Sequence, residues 1–269
     1  MSDTAQMSAV LAVSRRAVRR NALAAALGVS VIAIAFTYAG VFDLARYKGA
    51  LTTILTLAGD ATPPDFARWA KWGKPLLDTL SMSVAGTVLG ALAALVLGAL
   101  AARNMAPRWV GQPVLLLLNS LRSVPGLIWG VLYVAAVGFG PLPGIFALAT
   151  HSTGMLGKFY AEIFEHVDRA PGDALRSHGV SPLGVLRFSV WPQVLPRLLD
   201  VTIYRWEHNV RAATTLGVVG AGGLGLEIIT AFHLFEYREA AALVLVLLAM
   251  VTMINAFSGW LRYRLIRRV

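Results

Sequence analysis

Long apolar runs, separated by short charged segments, constrain this chain more than any other feature of its sequence. Residues 22–42 contain no charged side chain, and further apolar runs occupy 76–102 and 240–260. A helix of about 20 apolar residues crosses the hydrocarbon core of a bilayer. Only 14% of the 269 residues are charged and the mean hydropathy is +0.66, whereas soluble domains carry roughly 25% charged residues. The sequence therefore predicts an integral membrane protein.

The order of apolar and basic segments predicts an all-α fold, a polytopic transmembrane helix bundle of about six helices with cytoplasmic N- and C-termini. The predicted parts are a cytoplasmic segment 1–20, a first transmembrane helix 21–42, an outer amphipathic loop 43–75, a transmembrane core 76–262 and a basic cytoplasmic tail 263–269. The predicted spans of the core are 76–102, 124–137, 145–163, 194–219 and 240–260. A signal peptide is the alternative for the first run, but its apolar region usually has only 7–15 residues.

The net charge of +10 is explained by basic residues that cluster at the ends of the apolar runs, as expected for cytoplasmic segments of a membrane protein. Nucleic acid is the alternative partner of so basic a chain, and this distribution argues against it and for a surrounding of membrane lipid. The chain has no cysteine, which excludes disulfides, iron–sulfur clusters and cysteine zinc sites.

Small residues recur every four positions in the second predicted span, at Gly86, Gly90, Ala94, Gly98 and Ala102. They fall on one helix face, where the backbone of a neighbouring helix can approach closely.

Polar residues inside predicted spans are the first candidates for a functional site, because a charge in the membrane is costly unless it is paired or hydrated. The fourth span contains His151 and Lys158, and Arg211 lies more than ten residues inside the fifth. With Arg122 these residues are the predicted substrate pathway. The alternatives are that Arg211 pairs with Glu207 one helical turn away, and that charges near the start of the fifth span, including Arg205, extend to the membrane surface.

The glycine-rich segment GAGGLG matches a dinucleotide-binding pattern, but that motif needs a preceding strand, and a charged membrane helix precedes it here. A gate or flexible outer loop is the better prediction for Gly220, Gly222, Gly223 and Gly225. No metal-ligand spacing and no catalytic set occur in the sequence. A bundle with intramembrane charge and no catalytic set is better interpreted as a conduit than as an enzyme, and its energy must come from a gradient or from a partner.

The segment 171–196 is too polar for a bilayer core, yet it is amphipathic. Pro171 can begin a helix, Gly179 can end it by accepting a left-handed backbone, and Ser181 with Pro182 can cap and begin a second short helix. The segment therefore predicts two short helices joined at a glycine, which a partner protein can hold. An interfacial helix on the lipid headgroups is the alternative.

This segment resembles the cytoplasmic signature of ABC-importer membrane subunits, Glu-Ala-Ala, three residues, Gly and then Leu-Pro. Asp173 and Ala174 begin the match, Gly179 continues it and Trp191-Pro192 ends it, so that Asp173 replaces Glu, Leu175 replaces the second Ala and Trp191 replaces Leu. Three flanking runs, 118–125, 151–158 and 209–225, resemble phosphonate-importer permeases, and the resemblance extends from about residue 76 to residue 265.

The resemblance implies a type I ABC-importer permease of the phosphonate and phosphite family in the bacterial inner membrane. Two copies would form the pore, and helices 171–192 would dock on two cytoplasmic ATPase subunits that bind ATP, with no cofactor in this chain. A periplasmic phosphonate-binding protein would deliver the anion. The coupling residues would be Asp173, Ala174, Gly179, Pro182 and Pro192. The alternatives are a permease for another small anion, a gradient-driven transporter, a membrane enzyme acting on phospholipid headgroups, and a scaffold.

Overall fold

The computed structural model describes the backbone of residues 3–266 and the side chains of residues 18–265. The last three residues of the predicted basic tail, 267–269, lie outside the described residues. The helices are α1 (Asp3–Tyr38), α2 (Ala50–Asp60), α3 (Gly73–Ala101), α4 (Arg108–Ser123), α5 (Gly126–Val137), α6 (Pro141–Glu165), α7 (Ala170–Ser177), α8 (Pro182–Val185), α9 (Trp191–Leu216), α10 (Gly223–His233) and α11 (Tyr237–Ile266). Within the described residues there is no strand, and the predicted all-α class is confirmed.

The chain divides into two compact units, Met1–Gly59 and Asp60–Val269. In the first unit, helix α1 contains the apolar stretch Val18–Tyr38, which is long enough to cross a membrane and is exposed throughout. Because an exposed stretch of this length and hydropathy is stable only in lipid or against a partner, α1 fits the predicted first transmembrane helix.

The second unit is built on the close approach of α3 and α6. A Cβ atom on Gly86 would lie only 2.6 Å from the Leu148 Cβ, and one on Gly98 would lie 2.8 Å from the Tyr160 Cβ. A glycine later in α3 contacts a residue that is later in α6 by the same number of positions. The two helices therefore run parallel. The predicted small-residue face is therefore confirmed, and its partner is the predicted fourth span.

The remaining core helices alternate in direction. The Tyr160 and Thr202 hydroxyls are hydrogen-bonded, while the Gly140 N–H donates to the Gly220 carbonyl over 3.1 Å, so α9 runs antiparallel to α6. Helix α11 then packs along α9, where the rings of Trp206 and Phe257 meet at 6.2 Å. This order agrees with the predicted succession of inward and outward spans.

The predicted third span is shorter than expected. The chain breaks at Val124-Pro125 as predicted, but α5 has 12 residues, about 18 Å of helix, which is less than the hydrocarbon thickness. Helices α4 and α5 meet at 88°, and only the two together are long and apolar enough to cross a membrane. The predicted outer turn at 138–144 is also shorter, because Pro141 already occupies the first turn of α6, where its missing N–H is not needed.

Three stretches of the described chain could each span a membrane alone, in Val18–Tyr38, Trp69–Ala101 and Tyr237–Leu265, and the two bent pairs raise the number to five. Helix α6, the predicted fourth span, is not among them because its polar residues lower its hydropathy. Its Ser152 and Thr153 are buried inside the protein, as expected for a polar span that faces protein rather than lipid.

An ionic clasp joins the starts of α3 and α11. The Arg68 guanidinium donates to Glu236 and Glu239 at 2.7 Å each, and the Asp65 N–H donates to the Arg238 carbonyl over 2.9 Å. The hydrogen bond from Arg68 lowers the pKa of the Glu236 carboxyl, and the two carboxylates raise the pKa of Arg68. The ionic clasp is exposed, so it contributes little to stability. Its effect is to hold the starts of α3 and α11 together.

Leucine at Gly98 should destabilise the bundle, because the new side chain would overlap the Tyr160 Cβ and lie 2.9 Å or less from the Gly157 carbonyl. Overpacking of this kind costs about 1–3 kcal/mol, and the melting temperature of the detergent-solubilised protein should fall. Gly259→Leu is the matched control, since no atom from elsewhere in the described structure lies within 4 Å of a Cβ at that position in α11. Equal melting temperatures for Gly98→Leu and Gly259→Leu would show that α3 and α6 are not in close contact.

Candidate functional site: an exposed helix pair and a cationic cavity

The two helices predicted in segment 171–196 are present. Helix α7 has Pro171 in its first turn, and Gly179 follows its end with φ +78°. The Ser181 hydroxyl accepts from the Gly184 N–H over 3.3 Å and caps α8. All five predicted coupling residues are exposed, namely Asp173, Ala174, Gly179, Pro182 and Pro192.

The second helix of the pair is not short, and this corrects the prediction from the sequence. From Pro182 the chain stays helical through α8, a π-helical turn at Leu186–Val190, α9 and the start of a second π-helical turn, until Gly220 leaves the helical conformation with φ +95°. Pro192 lacks the N–H that a regular turn requires, and the wider turn lies directly before it. The coupling surface is therefore the first part of a helix that continues through the bundle.

A groove of about 480 Å³ lies beside the helix pair. Its walls come from the loop after α3, the end of α6, and helices α7 and α8. Asp173 and Arg176 line it and form an ion pair of 2.8 Å on the surface of α7. Leu183 and Phe188 are 77% and 67% exposed. Such an exposed apolar surface with a charged edge is typical of a protein interaction site.

A second site lies inside the bundle, in a cavity of about 180 Å³ between α5, α6 and α9. Residues with cationic or polar side chains on its wall are His151, Arg205, His208 and Thr215, and the apolar lining includes Ala147, Leu148, Ala212 and Leu216. No carboxylate is among the described residues that line it. The cavity is thus lined by one permanent cation and two imidazoles.

Arg205 is the most enclosed charge of this site, with only 5% of its surface exposed. Its Nε donates to the Ser152 hydroxyl over 3.0 Å, and the amide of Asn209 donates to the same hydroxyl over 2.8 Å. The Asn209 amide also reaches the Thr87 hydroxyl at 2.8 Å, so the network joins α9 to α6 and α3. The Nη2 atom of Arg205 is buried without a hydrogen-bond partner among the described residues.

Of the four residues predicted for the substrate pathway, only His151 lines this cavity. Arg122 is exposed at the end of α4 and Arg211 is exposed on α9. Lys158 lies 3.8 Å from Glu162 and lines a different cavity, of about 130 Å³, beside Arg103 and Glu165.

Arg205 does not extend to the membrane surface, which corrects the alternative prediction for this residue. His208 was not among the residues predicted for the substrate pathway. A sequence signal for both exists: Arg205, His208, Ala212 and Thr215 recur at the spacing of one helix face.

Glu207 does not pair with Arg211. Its carboxylate accepts from the Arg262 guanidinium of α11, and Asp200 lies 3.8 Å from the same guanidinium. Among the residues with described side chains, no carboxylate lies within ion-pair distance of Arg205 or Arg211. The acids of α9 therefore face α11 and leave the cavity without a negative charge.

The four glycines predicted as a gate or loop do not all lie in the same kind of structure. Gly220, Gly222 and Gly223 form a sharp bend with φ of +95°, +83° and +73°, Gly223 is also the first residue of α10, and Gly225 lies inside α10. The predicted loop is therefore a bend of 58° between two helices. A Cβ on Gly225 would overlap the Thr214 carbonyl, so this segment is tightly packed.

Comparison with known proteins decides the family. Residues 94–269 match the family described as binding-protein-dependent transport system inner membrane component. The chain belongs to this family. The match runs from the middle of α3 through α11 and includes both the exposed helix pair and the cavity. The family and the inner-membrane location expected from the resemblance are confirmed.

Individual relatives agree with this assignment. The phosphite transport system permease protein PtxC of Stutzerimonas stutzeri is 51% identical over 233 residues, which are 86% of this chain and 85% of that protein. The phosphate-import permease protein PhnE of Mycolicibacterium smegmatis is 38% identical over 199 residues, 74% of this chain and 37% of that protein.

Among solved structures, the inward-facing methionine ABC transporter MetNI has a TM-score of 0.63 at 19% identity, covering 72% of this chain and 95% of the matched chain. This likeness shows that the permease has the fold of a type I ABC-importer membrane subunit.

The pair between Glu207 and Arg262 gives this permease a stability test. Arg262→Met should lower the stability by about 1–3 kcal/mol, since removing one partner strands a carboxylate that is only 14% exposed; fully buried pairs cost about 3–5 kcal/mol. Adding Glu207→Gln should recover most of the loss in a thermal melt. Arg264→Met, at an exposed position of the same helix where the guanidinium lies over the Trp260 ring, should cost at most about 1 kcal/mol. A double variant as unstable as Arg262→Met would contradict the pairing.

Proposed function

We propose that this permease carries phosphite, or a closely related phosphorus oxyanion such as a phosphonate, across the inner membrane of an ATP-driven importer. The observation that carries the proposal is 51% identity over most of the chain with a permease named for phosphite transport. Identity at this level across both chains supports a common cargo class. The cavity lined by Arg205 and two imidazoles is chemically suited to an anion and unsuited to a cation.

The energy for import would come from partner ATPase subunits that bind ATP. Their docking surface would be the exposed helix pair on the cytoplasmic side, with the groove of about 480 Å³ receiving part of the partner. The helix from Pro182 to Val219 is about 57 Å long at 1.5 Å per residue. A displacement at the helix pair would therefore reach Arg205 along one continuous helix, which includes a π-helical turn and Pro196.

A complete pore would need two copies of this chain and a periplasmic binding protein that delivers the anion. Exposed apolar side chains on α5, on α9 and on the π-helical turn after α9 provide a surface that would face a second copy; they include Ile128, Val131, Tyr204 and Val218. The apolar face of α11, with Leu245, Leu248 and Met253, would face lipid. We propose a homodimer because the exposed apolar side chains form two separate surfaces, one for a second copy and one for lipid.

Coupling is tested at Gly179, which has φ +78° and open space around its Cβ position. Valine there should leave the fold intact but force the turn out of the left-handed region, at a cost of roughly 1–2 kcal/mol. Gly179→Val should insert and assemble, and uptake per ATP hydrolysed should fall several-fold. Gly179→Asn is the matched control, because asparagine accepts this conformation. Equal coupling ratios in both variants would refute a role for this turn in coupling.

Cargo is tested in the native host after disruption of the chromosomal copy. Ion chromatography measures the disappearance of phosphite from the medium. This disappearance should stop in the disrupted strain and should resume when the intact chain is supplied. Phosphate and methylphosphonate are measured in parallel, because one relative is named for phosphate import. Depletion of phosphate alone would assign that cargo, and unchanged depletion of all three anions in the disrupted strain would contradict the proposed function.

A further inference from the structure

We propose that the cavity between α5, α6 and α9 is an intramembrane binding site for the phosphorus oxyanion, with Arg205 as its principal ligand and His151 and His208 as further donors. The proposal rests on the proposed function for the class of anion, and on the structure for the place and the residues.

The charge balance around Arg205 is the first argument. Arg205 as a whole residue is 5% exposed, and no carboxylate among the described side chains is within ion-pair distance of it. An ionised group removed from water without a counter-charge costs several kcal/mol, and intramembrane cations are normally paired. The acids of the same helix, Asp200 and Glu207, are directed to Arg262 instead. A bound anion would supply the missing charge.

The orientation of Arg205 is the second argument. Ser152 accepts from Nε and is itself held by Asn209, which fixes one edge of the guanidinium. The Nη2 atom is left buried and unpaired, and the residue lines the cavity. A guanidinium with free N–H groups and a fixed plane matches two oxygens of a tetrahedral oxyanion.

The imidazoles complete the set of donors. His151 lines the same cavity, and its Nδ1 is buried without a hydrogen-bond partner among the described residues. His208, one helical turn after Arg205, lies on the exposed side of the cavity. The ring of His151 also has the Val124 backbone as a partner, so His151 can donate to an anion from its other nitrogen when the ring is protonated. A neutral His208 can donate one N–H, and a protonated one two. The donors thus converge from two helices, α6 and α9.

The volume of the cavity fits the ligand. About 180 Å³ is the space of roughly six waters at 30 Å³ each in the liquid. A phosphite ion has four heavy atoms and methylphosphonate has five, so either fits with some remaining water. Larger phosphonates would reach the exposed rim at Leu127 and Thr215.

Anion binding is measured on the complete transporter, with its ATPase subunits but without the binding protein, in nanodiscs with radiolabelled phosphite. Arg205→Met should weaken phosphite binding at least about tenfold, as expected for the loss of charge-assisted hydrogen bonds, and Arg205→Lys should retain part of the affinity. Arg197→Met is the matched control, because it removes an exposed arginine from the same helix and should bind as the unmodified transporter does.

A second variant keeps the test decisive if Arg205→Met fails to assemble. Ala212→Leu adds bulk to the wall of the cavity and leaves the hydrogen bonds of Ser152 untouched, so it should block phosphite binding in an assembled transporter. Absence of saturable binding of phosphite, phosphate and methylphosphonate in the unmodified complex would overturn the site. So would unchanged binding in Ala212→Leu, or loss in Arg211→Met with unchanged binding in Arg205→Met.

Uptake by cells separates this site from the proposed function. If the unmodified permease imports phosphite and the Arg205→Met and Ala212→Leu variants import it with the same KM and kcat, the site is wrong and the function stands. If the unmodified permease imports none of the three anions, the proposed function fails, whatever the binding experiment shows.

Discussion

The contact on which the rest of the structure depends is the glycine-mediated approach of α3 to α6. A Cβ on Gly90 would lie 2.7 Å from the Ser152 Cβ, so only glycine lets the two backbones come this close. Because of this approach, the hydroxyls of Ser152 and Thr87 lie within reach of one amide, that of Asn209. Arg205 is then anchored through Ser152. Close packing of small residues, which tolerates no larger side chain, thus determines where the buried cation stands.

Charge is distributed unequally around α9. Its carboxylates, Asp200 and Glu207, face α11 and pair there with Arg262, while Arg205 faces α5 and α6 with no carboxylate within ion-pair distance among the described side chains. The same helix begins in the exposed segment at Pro182 and ends at the glycine bend. This helix therefore connects the surface where an ATPase subunit would bind with the cavity where an anion would bind. A movement of the helix would change both sites.

Much of this architecture could be predicted from local sequence. The four-residue spacing of small residues indicated the face of α3, and Pro125 marked the break between α4 and α5. The positive φ of Gly179 was also expected. The partners that decide the site were not predictable, because they are long-range: Arg262 lies 55 residues from Glu207, and the burial of Arg205 depends on α6. Pro192 predicted a boundary, but the π-helical turn before it lets the helix continue.

The central claim, that one rigid helix joins the coupling surface to the buried arginine, is tested most directly by a distance within that helix. Spin labels at the exposed positions Leu183 and Tyr204 should be about 30 Å apart, from a rise of 1.5 Å per residue. Pulsed electron resonance is measured on labelled subunits diluted with unlabelled ones, without nucleotide and with ATP trapped by vanadate. The account predicts one narrow distance that is the same in both states. A broad distribution, or a shift of several ångströms between the states, would contradict it.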